Sequence, residues 1–272
     1  MNLPDDPLVF TRLVLTNSFV FDFTRYIFAA LLIGAIVWVM ARTRLATRKL
    51  QQRQATAADM RREFLQSVRS CMVYALISLV VVALMKAGVL HPIGRGSGWG
   101  TTLALLVIMI VAHDAWFYWT HRALHHPALY KRFHLAHHRS VTPTPFAIYS
   151  FSVGEAWVNA MFVFLWQVFV TTPGPVFVMF MLFQVLRNGM GHAGYELSPR
   201  WWLSTPLTRW INTTTHHDLH HSGGFNHNYG LYFTWWDKMM RTEHPRYAEA
   251  FAKVTKKANR PQTLSEGVTA GA

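Results

Sequence analysis

Three apolar stretches early in the chain constrain its fold more than any other feature. Tyr26 to Met40 carries no charged residue and, with Phe19 to Phe23, is long enough to span a bilayer. Cys71 to Met85 is the second stretch, and Lys86 at its end can snorkel outward. Leu103 to Ala112 is the third and runs on through Ala115 to Trp119. A spanning helix needs about 20 residues, so these read as spans with polar or aromatic ends. A chain that is 51% hydrophobic and only 14% charged suits a polytopic membrane protein better than a soluble one.

The charge pattern orients the spans. Net charge is +13, but the basic residues alternate with apolar runs, which points to positive-inside topology and away from a nucleic-acid partner. Between the first two spans, Ala41 to Ser70 holds Arg42, Arg44, Arg48, Lys49, Arg53, Arg61, Arg62 and Arg69, which places this connector in the cytosol. It is either a helix along the membrane surface or a solvated basic linker. The loop His91 to Gly100 then lies on the opposite face, and the third span returns to deliver His113 onward to the cytosol. Ala156 to Leu186 is apolar again, broken by Thr171-Thr172-Pro173-Gly174-Pro175. This predicts a helical hairpin with both ends cytosolic and arms short enough to dip into the membrane rather than cross it. Everything from Arg187 onward is then cytosolic.

The expected architecture is an all-α integral membrane protein: about three spanning helices, a helical hairpin, and a cytosolic helical cap holding a histidine-rich dimetal site. Residues 1–112 form the membrane helices with the connector 41–70. Residues 113–244 form a catalytic region that includes the hairpin 156–186, and 245–272 is a tail, disordered from Ala258. The N-terminus lacks the basic region of a cleaved signal peptide, and the expected location is a bacterial inner membrane or an ER-type membrane. Cys71 is the single cysteine, so no intrachain disulfide or multi-thiolate metal site is possible. It reads as a small buried apolar residue.

The chemistry is carried by histidine. Three boxes stand out: His121-x3-His125, His134-x2-His137-His138 and His217-x2-His220-His221. Their i, i+3 and i, i+4 spacings put ring nitrogens on helix faces, and the second box is expected to share one side of a new helix after Pro127. His192 stands between the second and third boxes and makes nine candidate ligands. Nine exceed what structural or catalytic zinc takes. Carboxylates are too scarce for the facial triad of a single iron. A dinuclear iron site accounts for the number, with zinc as a substitute in purified protein. His216 competes with His217 for its register, and the spacing favours His217. His113 and His227 are candidates for contact with the ligand rings, whereas His91, His126 and His244 read as ordinary hydrogen-bonded histidines. Asp114, Asp218 and Glu155 are candidates for orienting ligand rings through their N–H groups, the alternative for each being a salt bridge or helix cap.

The order HRALHH, HLAHHRSVTPTPFA, HAGYE and HHDLHHSGGFNHNYGLYFTWWDK resembles the fatty acid hydroxylase superfamily over roughly 114–241. That superfamily includes sterol desaturases, sterol methyl oxidases and fatty acid 2-hydroxylases. The text between boxes matches too, with Pro143-Thr144-Pro145, Asn228-Tyr229-Gly230 and Trp236-Asp237. The resemblance implies metal ligation by His121, His125, His134, His137, His138, His192, His217, His220 and His221. It also implies dioxygen as co-substrate and a lipid substrate drawn from the bilayer. Asn188 stands where fatty acid 2-hydroxylases carry a further histidine, and Ser152-Val153-Gly154-Glu155 replaces a His-Pro-Leu-acid segment. An amide, water or another residue is left to complete the shell.

The expected function is hydroxylation of an unactivated C–H bond in a lipid, with desaturation on the same site as the alternative. The chain has no reductase, so an external electron donor of ferredoxin or cytochrome b5 type is implied. A zinc hydrolase is disfavoured, because no box holds a general-base glutamate such as H-E-x-x-H supplies. A metal transporter is disfavoured because the histidines lie beyond the apolar runs rather than along them.

Overall fold

The computed structural model describes residues 3–96, 98–222 and 225–256. The expected disordered tail from Ala258 lies outside these residues. Helix α1 (Pro7–Ala41) begins at an Asp6 cap whose carboxylate accepts from the Val9 amide. Helix α2 (Ala57–Lys86) begins with a reciprocal capping box between Thr56 and Asp59. Helix α3 is Trp99–Leu124. These three are long and apolar enough to cross a membrane. Leu31, Leu76, Leu103 and Val107 on them remain exposed, as a bilayer-facing surface requires. The chain is an all-α integral membrane protein.

The connector 41–70 is helical in its second half, where α2 begins at Ala57. Residues Arg44–Arg48 form a single 3₁₀ turn, and α2 already starts at Ala57, so only a short stretch links the spans. That stretch lies against the histidine-bearing region. The Leu50 amide donates to the Gly194 carbonyl (3.0 Å) and Arg48 Nη1 to the Ser198 carbonyl (2.8 Å). Gln51 Nε2 reaches both the Val141 carbonyl and Asp218. Residues 48–51 thus clasp the cap, while 41–47 are exposed.

After α3, Pro127 opens the short helix α4 (Pro127–Leu129). A π turn over Tyr130–His134 leads into α5 (Leu135–His138). The hairpin arms are α6 (Val153–Phe169) and α7 (Gly174–Gly191). They reach further than expected. Strand β2 (Thr172–Pro173) at the hairpin tip pairs in parallel with β1 (Ile93–Gly94) in the loop between α2 and α3. The His91 amide also donates to the Gln167 carbonyl (2.8 Å). The tip therefore lies level with that loop, and the arms traverse the helical bundle.

Helix α8 (Thr214–Ser222) carries the third box, followed by α9 (Trp235–Met239) and α10 (Tyr247–Thr255). Tyr247 on α10 bonds Thr213 (3.0 Å) and lays its ring against His216, so the region after 244 begins with a helix packed on the cap. The larger core cluster joins Tyr26, Ala29, Cys71, Tyr74 and Ile77 to Ile148 and Tyr149, which fastens the cap to α1 and α2. Cys71 is buried and free.

Candidate metal centre

Each histidine is placed by the element that ends or turns beside it. His121 sits on the last turn of α3, and His125 just beyond it. His134 closes the π turn, His137 and His138 lie on α5, and His192 follows the end of α7. The nine rings form two groups. His121, His125, His134, His138 and His220 make one; His137, His192, His217 and His221 make the other. Within each group, one nitrogen from every ring lies within 4.8 Å of the rest.

The second box does not keep to one side of its helix. His134 and His138 enter the first group, while His137 turns into the second. The third box does the reverse: His217 and His221 enter the second group and His220 crosses to the first. Successive helical residues point about 100° apart, so an i, i+4 pair stays together while the i+3 residue diverges. Two helices carrying His-x2-His-His therefore lace the two groups together.

Four external acceptors fix the tautomers. His121 Nδ1 donates to the Tyr229 carbonyl (2.8 Å), His220 Nδ1 to the His227 carbonyl (2.6 Å) and His192 Nδ1 to the Asn188 carbonyl (2.8 Å). His134 Nδ1 faces Glu155 Oε1 at 2.9 Å. A carbonyl oxygen only accepts, so His121, His192 and His220 hold their proton on Nδ1 and turn the Nε2 lone pair inward, and His134 does the same when Glu155 is ionised. The Nε2 atoms of His121 and His134 are then 3.0 Å apart, lone pair against lone pair. The Nε2 atoms of His192 and His217 are 3.1 Å apart, and His220 Nε2 is buried without a partner. A second proton on a ring does not relieve this, because burial drives His134, His217, His220 and His221 far below the usual imidazole range and His125 to about 2. Only the His192–His217 contact has a neutral remedy, an Nε2–H on His217 that donates to His192. A cation among the nitrogens does relieve it. The donor set fits a metal that accepts neutral imidazole, which includes iron, zinc, copper and nickel.

The acceptors are themselves held. Asp237 accepts from the Tyr229 and Gly230 amides (2.9 and 2.8 Å), which presents the Tyr229 carbonyl to His121. Gly230 is required there, since a Cβ would meet the Phe233 carbonyl oxygen at 2.5 Å and Asp237 Oδ2 at 2.8 Å. Asn228 takes the left-handed conformation (φ 60°) and bonds the His216 carbonyl and His244 amide. Glu196 accepts from the Thr215 amide and hydroxyl (2.8 and 2.6 Å), capping the first turn of α8.

Two carboxylates expected to orient ligand rings do not touch them. Asp114 accepts from the Tyr232 and Phe233 amides and the Trp235 indole, so it braces the loop after α8. Asp218 accepts from Gln51 and Ser222 and faces the connector. Both are taken up by backbone and side-chain donors from other segments, and spacing along the chain does not reveal which loop folds over them. Glu155 does meet a ring, His134. The backbone carbonyls of 188, 227 and 229 left no mark in the sequence as ring acceptors. Asn188 donates its amide to the Ile148 carbonyl (2.6 Å), and its own carbonyl holds His192. His216 lies outside both groups, near Asp237 (3.6 Å). His113 is also outside and packs between Phe162, Phe180 and Tyr232.

An apolar cavity of about 630 Å³ lies among α1, α2, α3, α6 and α7. It shares walls with the metal centre. Phe117 lines it and packs on His121 (5.0 Å between centroids), and Phe151 lines it and packs on His137 (5.2 Å). Asn188 lines it as well.

The chain is also similar to known proteins. A family model described as fatty acid hydroxylase matches residues 106–242. The chain is 34% identical to a Delta(7)-sterol 5(6)-desaturase of Gibberella zeae over 52% of its own length and 42% of that protein's. It is 33% identical to a very-long-chain aldehyde decarbonylase of Oryza sativa over 53% of its own length and 24% of that protein's. It is 30% identical to a methylsterol monooxygenase of Aspergillus fumigatus over 69% of its own length and 68% of that protein's. The chain thus spans less than half the length of the desaturase and the decarbonylase. No solved structure matches.

Proposed function

The chain belongs to the fatty acid hydroxylase family, and from that premise we propose that it is a membrane-bound lipid oxidoreductase whose nine histidines hold two iron ions. The observation that carries this reading is the inward-facing set of Nε2 lone pairs in two adjoining groups. Iron held there supplies dioxygen chemistry strong enough to break an unactivated C–H bond. The residues of the chain do the rest. The Tyr229, His227 and Asn188 carbonyls and Glu155 keep the rings oriented, so little reorganisation accompanies metal binding. Phe117 and Phe151 seal the rings from water on the cavity side and present the lipid to them. Hydroxylation is the favoured outcome. The desaturase relative supports a second one, loss of two hydrogens from adjacent carbons. An external donor of ferredoxin or cytochrome b5 type supplies electrons. The Arg-rich clasp at Arg48 supports a cytosolic face for the centre. The membrane helices of 1–112 and the catalytic region 113–244 then act as one unit.

Anaerobic reconstitution with ferrous iron, metal counting and Mössbauer spectroscopy test the reading. Two coupled irons per chain are expected. One ion per chain, or zinc that sustains full activity, would sink it. Lipid profiling of a deletion strain separates the two reactions: loss of a hydroxylated lipid without a change in unsaturation favours hydroxylation.

A further inference from the structure

Charged residues inside a spanning helix are expensive and serve a function by default. Helix α1 buries two, Asp22 and Arg25, about one turn apart, while Arg12 nearer its start is exposed. Arg25 donates to Asp22 Oδ1 through Nε (2.9 Å) and Nη2 (2.6 Å). Its Nη1 donates to the Met181 carbonyl and to Gln184 Oε1, both at 3.2 Å. Tyr149 also donates to Gln184 Oε1 (3.3 Å), which fixes the amide orientation. Among the described residues, Asp22 Oδ2 accepts no hydrogen bond and Gln184 Nε2 donates none. The side-chain amide of Asn159 is likewise unpaired. All three residues line the apolar cavity.

The cavity therefore offers an acceptor, Asp22 Oδ2, and the amides of Gln184 and Asn159, within apolar walls. A hydroxyl group satisfies both kinds, donating to the carboxylate and accepting from an amide. An ether only accepts. A carboxylate or phosphate only accepts, and its charge meets an Asp22–Arg25 pair already neutral in sum. At about 30 Å³ for each water-sized group, the cavity holds about 20 of them, enough for a lipid skeleton. Gln184 on α7 precedes His192, just past the end of that helix, by about two turns, or about 12 Å along the axis. The polar group is thus held away from the rings, and a carbon further along the lipid reaches them.

We infer that Asp22, Arg25 and Gln184 form a head-group site for an uncharged lipid alcohol, and that this site sets substrate choice. The inference rests on the reading that this cavity holds the lipid to be oxidised. Its test is a binding experiment on the full chain in nanodiscs, with and without iron. The probes are cholesterol and its 3-methyl ether, and hexadecan-1-ol with its methyl ether and hexadecanoate. For at least one skeleton the alcohol is expected to bind about tenfold tighter than its ether or carboxylate, the effect of leaving a buried polar partner unpaired. The skeleton that shows the preference tells a sterol from an acyl alcohol.

The matching variant is Asp22→Leu with Arg25→Met, because replacing both members of a buried ion pair by apolar residues spares the fold. It should erase the preference while still binding two metal ions. The inference is overturned if native protein does not discriminate on either skeleton, if hexadecanoate binds tighter than the alcohol, or if the double variant discriminates as before. Metal count and turnover are read separately. A preference that persists in protein unable to hold two irons would refute the oxidoreductase reading and leave the head-group site standing.

Discussion

The two histidine groups have the same ligand chemistry but different support. The group of five, around His121, takes three outside acceptors: Glu155 and the carbonyls of Tyr229 and His227. Those come from α6 and from the loop between α8 and α9. It also includes the half-buried His125, the least enclosed of the nine rings. The group of four, around His217, is wholly buried and takes the carbonyl of Asn188. The first group is therefore oriented by elements distant in sequence and has an accessible edge. The second is oriented chiefly by packing. The difference teaches that equal ligands need not mean equal affinity or exchange rate, because ring orientation comes from what stands behind the metal side.

The largest expected effect comes from breaking the lacing between groups. His137→Ala and His220→Ala each remove the ring that crosses from one box into the other group. Each should lower metal content from two toward one and reduce turnover by about 100-fold or more, whereas His91→Ala should leave both unchanged. Metal analysis beside activity checks this; equal losses from all three variants would undo the assignment.

A smaller effect isolates the support of the first group. Glu155→Leu removes the acceptor behind His134 and should weaken the metal held by the first group by about 10- to 100-fold. Titration with a chelator should show one site affected and the other not. Gly230→Ala acts on the same group from the other side. Its Cβ collides with the Phe233 carbonyl, so the Tyr229 carbonyl shifts from His121 and stability falls by about 1–3 kcal/mol, read as a lower Tm.

Acidity affects both groups through the metal-free protein. Burial lowers the folded-state pKa of His125 to about 2 and of His138, His217, His220 and His221 far below 6.5. The unfolded chain takes up these protons near pH 6.5 and the folded chain does not. Stability is thus greatest above that value and is lost as pH falls below it. Bound metal competes with the protons, so the Tm of metal-loaded protein should fall less between pH 7 and 5 than that of metal-free protein. The smallest effect is expected at Asp218→Asn, which alters only the bonds to Gln51 and Ser222. It should cost about 1 kcal/mol of stability with metal content unchanged.

Much of the site was legible because its ligands are side chains with helical spacing. The nine histidines are the nine that converge, and His216, although adjacent to His217, points to Asp237 instead. The supports were not legible, for two reasons. Backbone carbonyls at 188, 227 and 229 are available in any sequence and carry no residue signature. The direction of Asp114 and Asp218 depends on which loop lies over their helix faces. The hairpin reached the far loop because Thr172–Pro173 pairs with Ile93–Gly94 across some eighty residues, a contact that hydropathy does not encode.

By itself the sequence determined an all-α membrane chain and the identity of the converging rings, because apolar run length and i, i+4 spacing are local properties. Only the tertiary structure decided how the boxes divide. Adjacent histidines on one helix diverge by about 100°, and the approach of α8 to α5 selects which ring joins which group. It also decided that Asp22 and Arg25 face a cavity rather than lipid. The same residues on the outer face of α1 would carry the same local signal and a different meaning.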